Sequence, residues 1–215
     1  MPKIPLEDLT ERYGFCDPAS SKKMAIKSVR ARSAIIIVAV DSLFRFFVLY
    51  AWADRVATDV LRDKIIQVTE DFKPRRFGIE ANAMQSLFAD LVREKATSMG
   101  KTLPLTAVDQ PTKVDKDWRI RTTLQAIIAD GRLILQPNQF ELKQEIEGFP
   151  MMPRKDLIDA LASAVRLAPK KRAKQQKREE ITQLAEYLRN TGAPSWCIEK
   201  RLREEIGVQE YEAAL

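Results

Sequence analysis

The chain has 215 residues, with 36 lysines and arginines against 30 aspartates and glutamates and no histidine, so its formal net charge is +6. The absence of histidine excludes Ser-His and Cys-His nucleophile systems, a His-ligated zinc and an imidazole general base. A catalytic metal would need mainly oxygen ligands, which favours Mg²⁺, Mn²⁺ or Ca²⁺. The positive charge suits a polyanionic partner.

Length and hydropathy indicate one large domain, or one domain with an appendage, outside the membrane. No run is long and apolar enough to span a bilayer, and the charged start of the chain is unlike a signal peptide. Cys16 and Cys197 form no metal-ligand spacing. We therefore expect a reduced, cytoplasmic setting.

Three strands are predicted at the start of the chain. Residues 12–16 form a short strand that must stop before Pro18, because proline cannot donate to a sheet ladder. Residues 33–40 have the apolar, β-branched character of a central strand. A short turn leads into a third strand at residues 45–52, and strands joined in this way pair antiparallel.

The connection between the first two strands carries one sign of charge, with no acid between Asp17 and Asp41. Such a loop is usually a solvated connection, but beside a carboxylate site it would also suit phosphate groups. Its basic residues are Lys22, Lys23, Lys27, Arg30 and Arg32.

Helices and strands alternate after the third strand. The apolar spacing predicts helices at residues 58–72, 82–99, 117–129 and 140–146, strands at 76–80 and 105–108, and a short strand or extended piece at 132–135. We therefore predict a mixed five-stranded sheet, with the first three strands antiparallel and the later strands parallel, and with helices on both faces.

Two acids follow strands that we expect to be parallel neighbours. A right-handed crossover would make the strand that ends at Glu80 parallel to the strand that ends at Asp17. Both acids then emerge at the carboxyl edge of the sheet, where open α/β sheets bind ligands. Taken singly, Glu80 could face water or cap a helix, and Asp17 before proline is a common turn signal. Asp41 lies at the tip of a hairpin, at the opposite edge of the sheet, so we exclude it from the predicted site.

A last apolar helix begins near residue 156. Asp156 and Asp159 are three residues apart, so both lie on one face of its first turn. They could simply cap the helix and favour its positive end. A functional role for Asp156 and Asp159 requires that the fold bring them close to Asp17 and Glu80.

Five segments stand in a distinctive order along residues 12–165: YGFCDPAS, SAIIIVAVDSLFRFFVLYAWADR, FGIEANAMQ, DGRLIL and FPMMPRKDLIDALASAV. In this order they resemble the nuclease domain of the large terminase subunits of tailed phages. The resemblance implies a ribonuclease-H-like fold, shared with Holliday-junction resolvases and some transposases. It also implies a DNA endonuclease that cuts concatemeric viral DNA during genome packaging.

The resemblance assigns a metal-binding role to four acids. They are the Asp of DPA, the Glu of IEAN and the acids of DxxDA, which are Asp17, Glu80, Asp156 and Asp159 in this chain. The implied cofactors are two divalent ions, Mg²⁺ or Mn²⁺, which roughly 3.5–4 Å apart can hydrolyse a phosphodiester without a side-chain base. The family motif often has His and Asp where this chain has Arg154 and Lys155, so one potential ligand is replaced by a cation.

Cutting without sequence preference would rest on phosphate contacts. Besides the loop between the first two strands, the candidates are Arg119, Arg121, Arg154 and Lys155. Arg119 and Arg121 could equally be solvent-facing helix residues. The tryptophans 52, 118 and 196 are expected to pack and not to stack on bases.

The expected partners are double-stranded DNA and, through the packaging role, the portal, the small terminase subunit and an ATPase domain or subunit. Gly100-Lys101-Thr102 does not form an ATPase phosphate loop, because Lys95 stands where that loop has a further glycine. The expected location is the host cytoplasm. We divide the chain into a nuclease domain at residues 1–168 and a basic helical appendage at residues 169–215.

Two alternatives stay open at this point. A junction-specific resolvase would use the same metal chemistry, act as a dimer and prefer four-way junctions. A non-catalytic module would use the acids as helix caps and dock its basic tail onto DNA or a capsid protein.

Overall fold

The structure, a computed structural model, describes residues 9, 11–19, 32–41, 43–81, 86–109 and 114–168, together with the single positions 190 and 200. The chain divides into two compact units, Met1–Ala168 and Pro169–Leu215. The elements given below belong to the first unit. The predicted basic loop before Arg32 and nearly all of the predicted appendage lie outside the described residues.

The described part of the first unit contains six strands and five helices. The strands are β1 (Glu11–Asp17), β2 (Ser33–Val40), β3 (Phe46–Asp54), β4 (Arg76–Glu80), β5 (Leu105–Val108) and β6 (Leu133–Ile134). The helices are α1 (Thr58–Phe72), α2 (Ser86–Ser98), α3 (Lys116–Ala129), α4 (Phe140–Glu147) and α5 (Asp156–Leu167). Helix α1 and strands β2, β4 and β5 have their predicted bounds.

The strands form one sheet in the order β5-β4-β1-β2-β3-β6. β2 pairs antiparallel with β1 and with β3, whereas β4 pairs parallel with β1 and β5 parallel with β4. This confirms the predicted mixed sheet, with antiparallel first strands and parallel later ones. The sheet has a sixth strand, β6, in addition to the five predicted, because two residues pair in parallel with β3. The sequence analysis predicted either a short strand or an extended piece at this place.

Helices cover both faces of the sheet, as predicted. Alternate residues of β2 face a core with α3, α4 and α5 on one side and a core with α1 and α2 on the other. A strand that is buried on both faces needs apolar residues at nearly every position, which explains the run SAIIIVAV. None of the described helices has both the length and the apolarity that a membrane crossing requires.

Two glycines allow β1 and β4 to pack closely. Gly14 is in register with Phe77, and Gly78 with Phe15. A Cβ atom on Gly78 would lie 2.7 Å from Cδ2 of Phe15 and 2.9 Å from Cδ1 of Leu167. Each aromatic ring therefore covers the glycine opposite, which fixes the two strands that end in Asp17 and Glu80.

The β2–β3 turn lies at the other edge of the sheet. Because β2 is antiparallel to β1, Asp41 lies near the start of β1 and away from Asp17. The Asp41 carboxylate accepts hydrogen bonds from the backbone N–H of Arg45 at 2.9 Å and from its Nε at 2.7 Å. Asp41 therefore stabilises the turn.

Candidate active site

The parallel pairing of β1 and β4 brings two acids side by side. Cys16 and Ile79 are register partners, so Asp17 and Glu80 follow them at the carboxyl edge of the sheet. Both residues are partly buried. Their carboxyl groups share a hydrogen bond.

Burial and charge together oppose the ionisation of Asp17. Its burial raises the pKa of Asp17 well above the usual range, and the charge of Glu80 and the shared hydrogen bond raise it further. The charge of Asp159 also raises this pKa, whereas the charge of Lys116 lowers it. The Asp17 carboxyl group is therefore harder to ionise than a free aspartate, and a cation beside it would favour its ionised form.

Helix α5 supplies a third carboxyl group from a distant part of the chain. Asp159 lies in the first turn of α5, is 4% exposed and acts on Asp17 through its charge. The apolar residues of α5 pack in the core against the sheet, and this packing sets the position of Asp159. Its Oδ2 lies 2.9 Å from Nζ of Lys116, and its Oδ1 lies 3.6 Å from Nη2 of Arg119.

Asp156 begins the same helix as Asp159 but has a different partner. Its Oδ2 lies 3.4 Å from Nε of Arg32. Although positions three apart lie on one face of a helix, the two carboxylates face different cations. Asp156 still acts on Lys116 through its charge, so it lies at the margin of the acidic centre. We use "acidic centre" for Asp17, Glu80 and Asp159.

Arg32 holds the start of α5 through carboxylates that the sequence analysis missed. Its guanidinium also contacts Glu141 at 2.7 Å and Glu145 at 3.2 Å. Glu145 is 2% exposed and accepts a hydrogen bond from the Ile158 N–H at 3.0 Å. Burial raises the pKa of Glu145, although the hydrogen bond from Ile158 opposes this shift. The sequence signal that could have identified Glu145 is its place on the apolar face of α4, three residues after the buried Leu142.

Lys116 is a second residue that the sequence analysis missed. It begins α3, one position before the predicted start of that helix. Burial favours the neutral amine, yet the charges of Asp159 and Asp17 outweigh it and raise the pKa of Lys116. The side chain therefore stays an ammonium ion. No local pattern marks this lysine, because its partners lie on a strand and on another helix.

The residues predicted to contact DNA differ in their surroundings. The side chains of Arg32 and Arg119 are only 11% and 13% exposed, and both face carboxylates. Arg121 and Arg154 are exposed, and Lys155 is partly exposed with its Nζ 2.6 Å from an aspartate of α3. The predicted residues that lie outside the described part are Lys22, Lys23, Lys27 and Arg30.

Trp118 corrects one expectation from the sequence. It is 61% exposed on α3, so the prediction that it packs in the core was wrong. Arg121 follows it by three residues on the helix surface and is also exposed. The α3 residues that face the core instead are Ile120, Leu124 and Ile127. Trp52 is partly buried, and Trp196 lies outside the described residues.

Two acids of the acidic centre, Asp17 and Glu80, are of the ligand type that suits a divalent cation. Carboxylate oxygens are the ligands that Mg²⁺ and Mn²⁺ prefer, and these two residues end neighbouring parallel strands. Across the part of the chain that the structure describes, no three His, Cys, Asp or Glu side chains are grouped so that they could hold a metal ion. The third carboxylate, Asp159, faces Lys116 and Arg119 instead.

No protein-family model matches the chain, and no curated protein matches its sequence. Among solved structures, the nuclease domain of the phage P22 large terminase is 12% identical, with a TM-score of 0.47 over 77% of this chain and 91% of that one. The yeast mitochondrial Holliday junction resolvase Ydc2 is 10% identical, with a TM-score of 0.44 over 62% of this chain and 72% of that one. RuvC of T. thermophilus, in complex with a Holliday junction substrate, is 16% identical, with a TM-score of 0.39 over 71% of this chain and 90% of that one.

Proposed function

We propose that the protein is a divalent-metal-dependent endonuclease that hydrolyses phosphodiester bonds of double-stranded DNA. One observation supports the proposal: Asp17 and Glu80 end neighbouring parallel strands, and the charge of Asp159, from a distant helix, acts on Asp17. Oxygen ligands at such an edge suit Mg²⁺ or Mn²⁺. A chain without histidine also has few other means of activating water.

Asp17 and Glu80 would hold the ion at the ends of β1 and β4, where its charge would offset the repulsion between their carboxylates. A bound divalent ion lowers the pKa of a water molecule and polarises a phosphoryl oxygen. Asp159, held by the packing of α5, would add a third negative charge beside the ion. Arg32 would act by holding the start of α5, since its guanidinium is occupied by three carboxylates.

The DNA backbone would lie along α3 and the segment before α5. Arg121 and Arg154 are exposed there and can contact phosphates, while Trp118 offers an exposed aromatic surface. The basic residues before Arg32, which lie outside the described part of the chain, would add further phosphate contacts. Contacts of this kind hold DNA without reading its sequence.

The resemblance of the ordered sequence segments favours a role in viral genome packaging, as the nuclease that cuts concatemeric DNA. In that role the protein would act in the host cytoplasm together with a portal, a small terminase subunit and an ATPase domain or subunit. The predicted appendage at residues 169–215 is the candidate for docking to such a partner.

Cleavage of supercoiled plasmid in Mg²⁺ or Mn²⁺ tests the proposal. Substitution of Asp17→Asn, Glu80→Gln or Asp159→Asn should each lower the rate by roughly 100-fold or more, and EDTA should abolish cutting. Asp41→Asn is the matched control, because Asp41 lies at the other edge of the sheet and the asparagine oxygen can still accept the backbone N–H of Arg45. Cleavage in EDTA, or an Asp17→Asn variant as active as the control, would overturn the proposal.

The same assay separates the two nuclease roles. A packaging nuclease should cut a linear duplex and a four-way junction of matched sequence at similar rates. A strong preference for the junction would replace the packaging role with that of a resolvase.

A further inference from the structure

Lys116 occupies a position that helix electrostatics disfavour. It is the first residue of α3, and the Asp115 side chain caps this helix by accepting the N–H of Trp118 at 3.0 Å. A cation at this end of a helix meets the positive pole of the macrodipole. The contact of its Nζ with Oδ2 of Asp159 at 2.9 Å offsets this effect, so the lysine is held here by the acidic centre.

Both oxygens of Asp159 already face cations. Nζ of Lys116 lies 2.9 Å from Oδ2, and Nη2 of Arg119 lies 3.6 Å from Oδ1. The Lys116 ammonium also acts on Asp17 and Asp156 through its charge. A second divalent ion beside Asp159 would have to displace this ammonium group.

We infer that Lys116 takes the place of a second divalent ion beside Asp159, so that the acidic centre binds one ion per chain. This inference rests on the proposed function and replaces the two ions that the sequence resemblance implies. Lys116 keeps a permanent positive charge in the centre and fixes the orientation of Asp159.

Counting the Mn²⁺ ions bound by the full chain tests the inference. In a titration followed by the paramagnetic resonance signal of free Mn²⁺, the unmodified protein should bind one ion, and so should Lys116→Arg, which keeps the charge. Lys116→Met keeps most of the side-chain length, removes the charge and should bind two. The matched control is Lys101→Met, since Lys101 is a partly exposed lysine paired with Glu70 on α1 at 2.7 Å; it should bind one ion.

Melting curves add a second readout. Without metal, Lys116→Met should melt at a lower temperature than the unmodified protein, because Asp159 then retains only its longer contact with Arg119. Saturating Mn²⁺ should raise the melting temperature of this variant more than that of the unmodified protein. A lysine with a purely structural role would lower the melting temperature and leave the ion count unchanged.

The outcomes separate this inference from the proposed function. Two ions bound by the unmodified protein, or an equal count in Lys116→Met, would overturn the inference and leave the nuclease proposal standing. No Mn²⁺ binding by the unmodified protein would overturn the proposed function itself.

Discussion

Substitution of Glu145→Ala should loosen the start of α5. The carboxylate accepts the Ile158 N–H at 3.0 Å and contacts Arg32 at 3.2 Å, at a residue that is 2% exposed. A buried N–H that loses its acceptor costs about 1–3 kcal/mol. Arg32 retains Glu141 at 2.7 Å, so no isolated charge remains, and removal of a buried carboxylate returns part of its desolvation free energy. We therefore expect a loss of about 2 kcal/mol in the free energy of unfolding.

Urea denaturation of the metal-free protein at neutral pH measures this loss. Glu145→Gln keeps an oxygen that can accept the Ile158 N–H, so we expect less than half of the effect. The control is Glu147→Gln on the same helix. The Glu147 side chain is 65% exposed and its ion pair with Lys143 measures 3.7 Å, so its loss should cost less than about 0.5 kcal/mol.

The same variant should weaken the metal site, because Asp159 lies in the first turn of α5. Mn²⁺ should therefore stabilise Glu145→Ala less than it stabilises the unmodified protein. If Glu145→Ala lost no more stability than Glu147→Gln, Glu145 would not anchor α5 and the reasoning would be refuted.

Three further predictions concern other parts of the first unit. Gly78→Ala should lower the free energy of unfolding by about 1–3 kcal/mol, because its Cβ would lie 2.7 Å from the Phe15 ring; an unchanged urea midpoint would contradict this close packing. Asp17→Asn should raise the melting temperature of the metal-free protein. The pKa of Asp17 is raised in the folded state, so its protonated form contributes stability that is lost as the pH rises through that pKa. The gain in melting temperature should therefore be larger at about pH 8 than at about pH 5. An equal gain at both pH values would refute the raised pKa of Asp17. Trp118→Ala should hardly change the melting temperature, because the side chain is 61% exposed, and should weaken duplex binding in a gel-shift titration; unchanged binding would remove α3 from the DNA path.

The convergence of Asp17 and Glu80 could be predicted from the sequence because it follows from backbone rules. Pro18 ends the first strand, the right-handed crossover makes β4 parallel to β1, and register then places the two acids side by side. Helical spacing placed Asp159 in the first turn of α5, but it could not separate Asp159 from Asp156. That separation depends on Arg32, which is distant in sequence and contacts only one of the two.

Lys116, Glu145 and Trp118 could not be assigned from local patterns. The charge of Lys116 is fixed by partners on other elements, and Glu145 meets its partners only when α4 packs beside α5. Trp118 resembled a core residue because its segment is mixed and apolar. The rotation of α3 is set by Ile120, Leu124 and Ile127, and it leaves the indole in solvent.

Anomalous diffraction from crystals soaked in Mn²⁺ tests the acidic centre most directly. We expect one strong peak within coordination distance of the carboxylate oxygens of Asp17 and Glu80, with the Lys116 ammonium still beside Asp159. No peak at that edge of the sheet, or Mn²⁺ bound only at other carboxylates, would contradict the account.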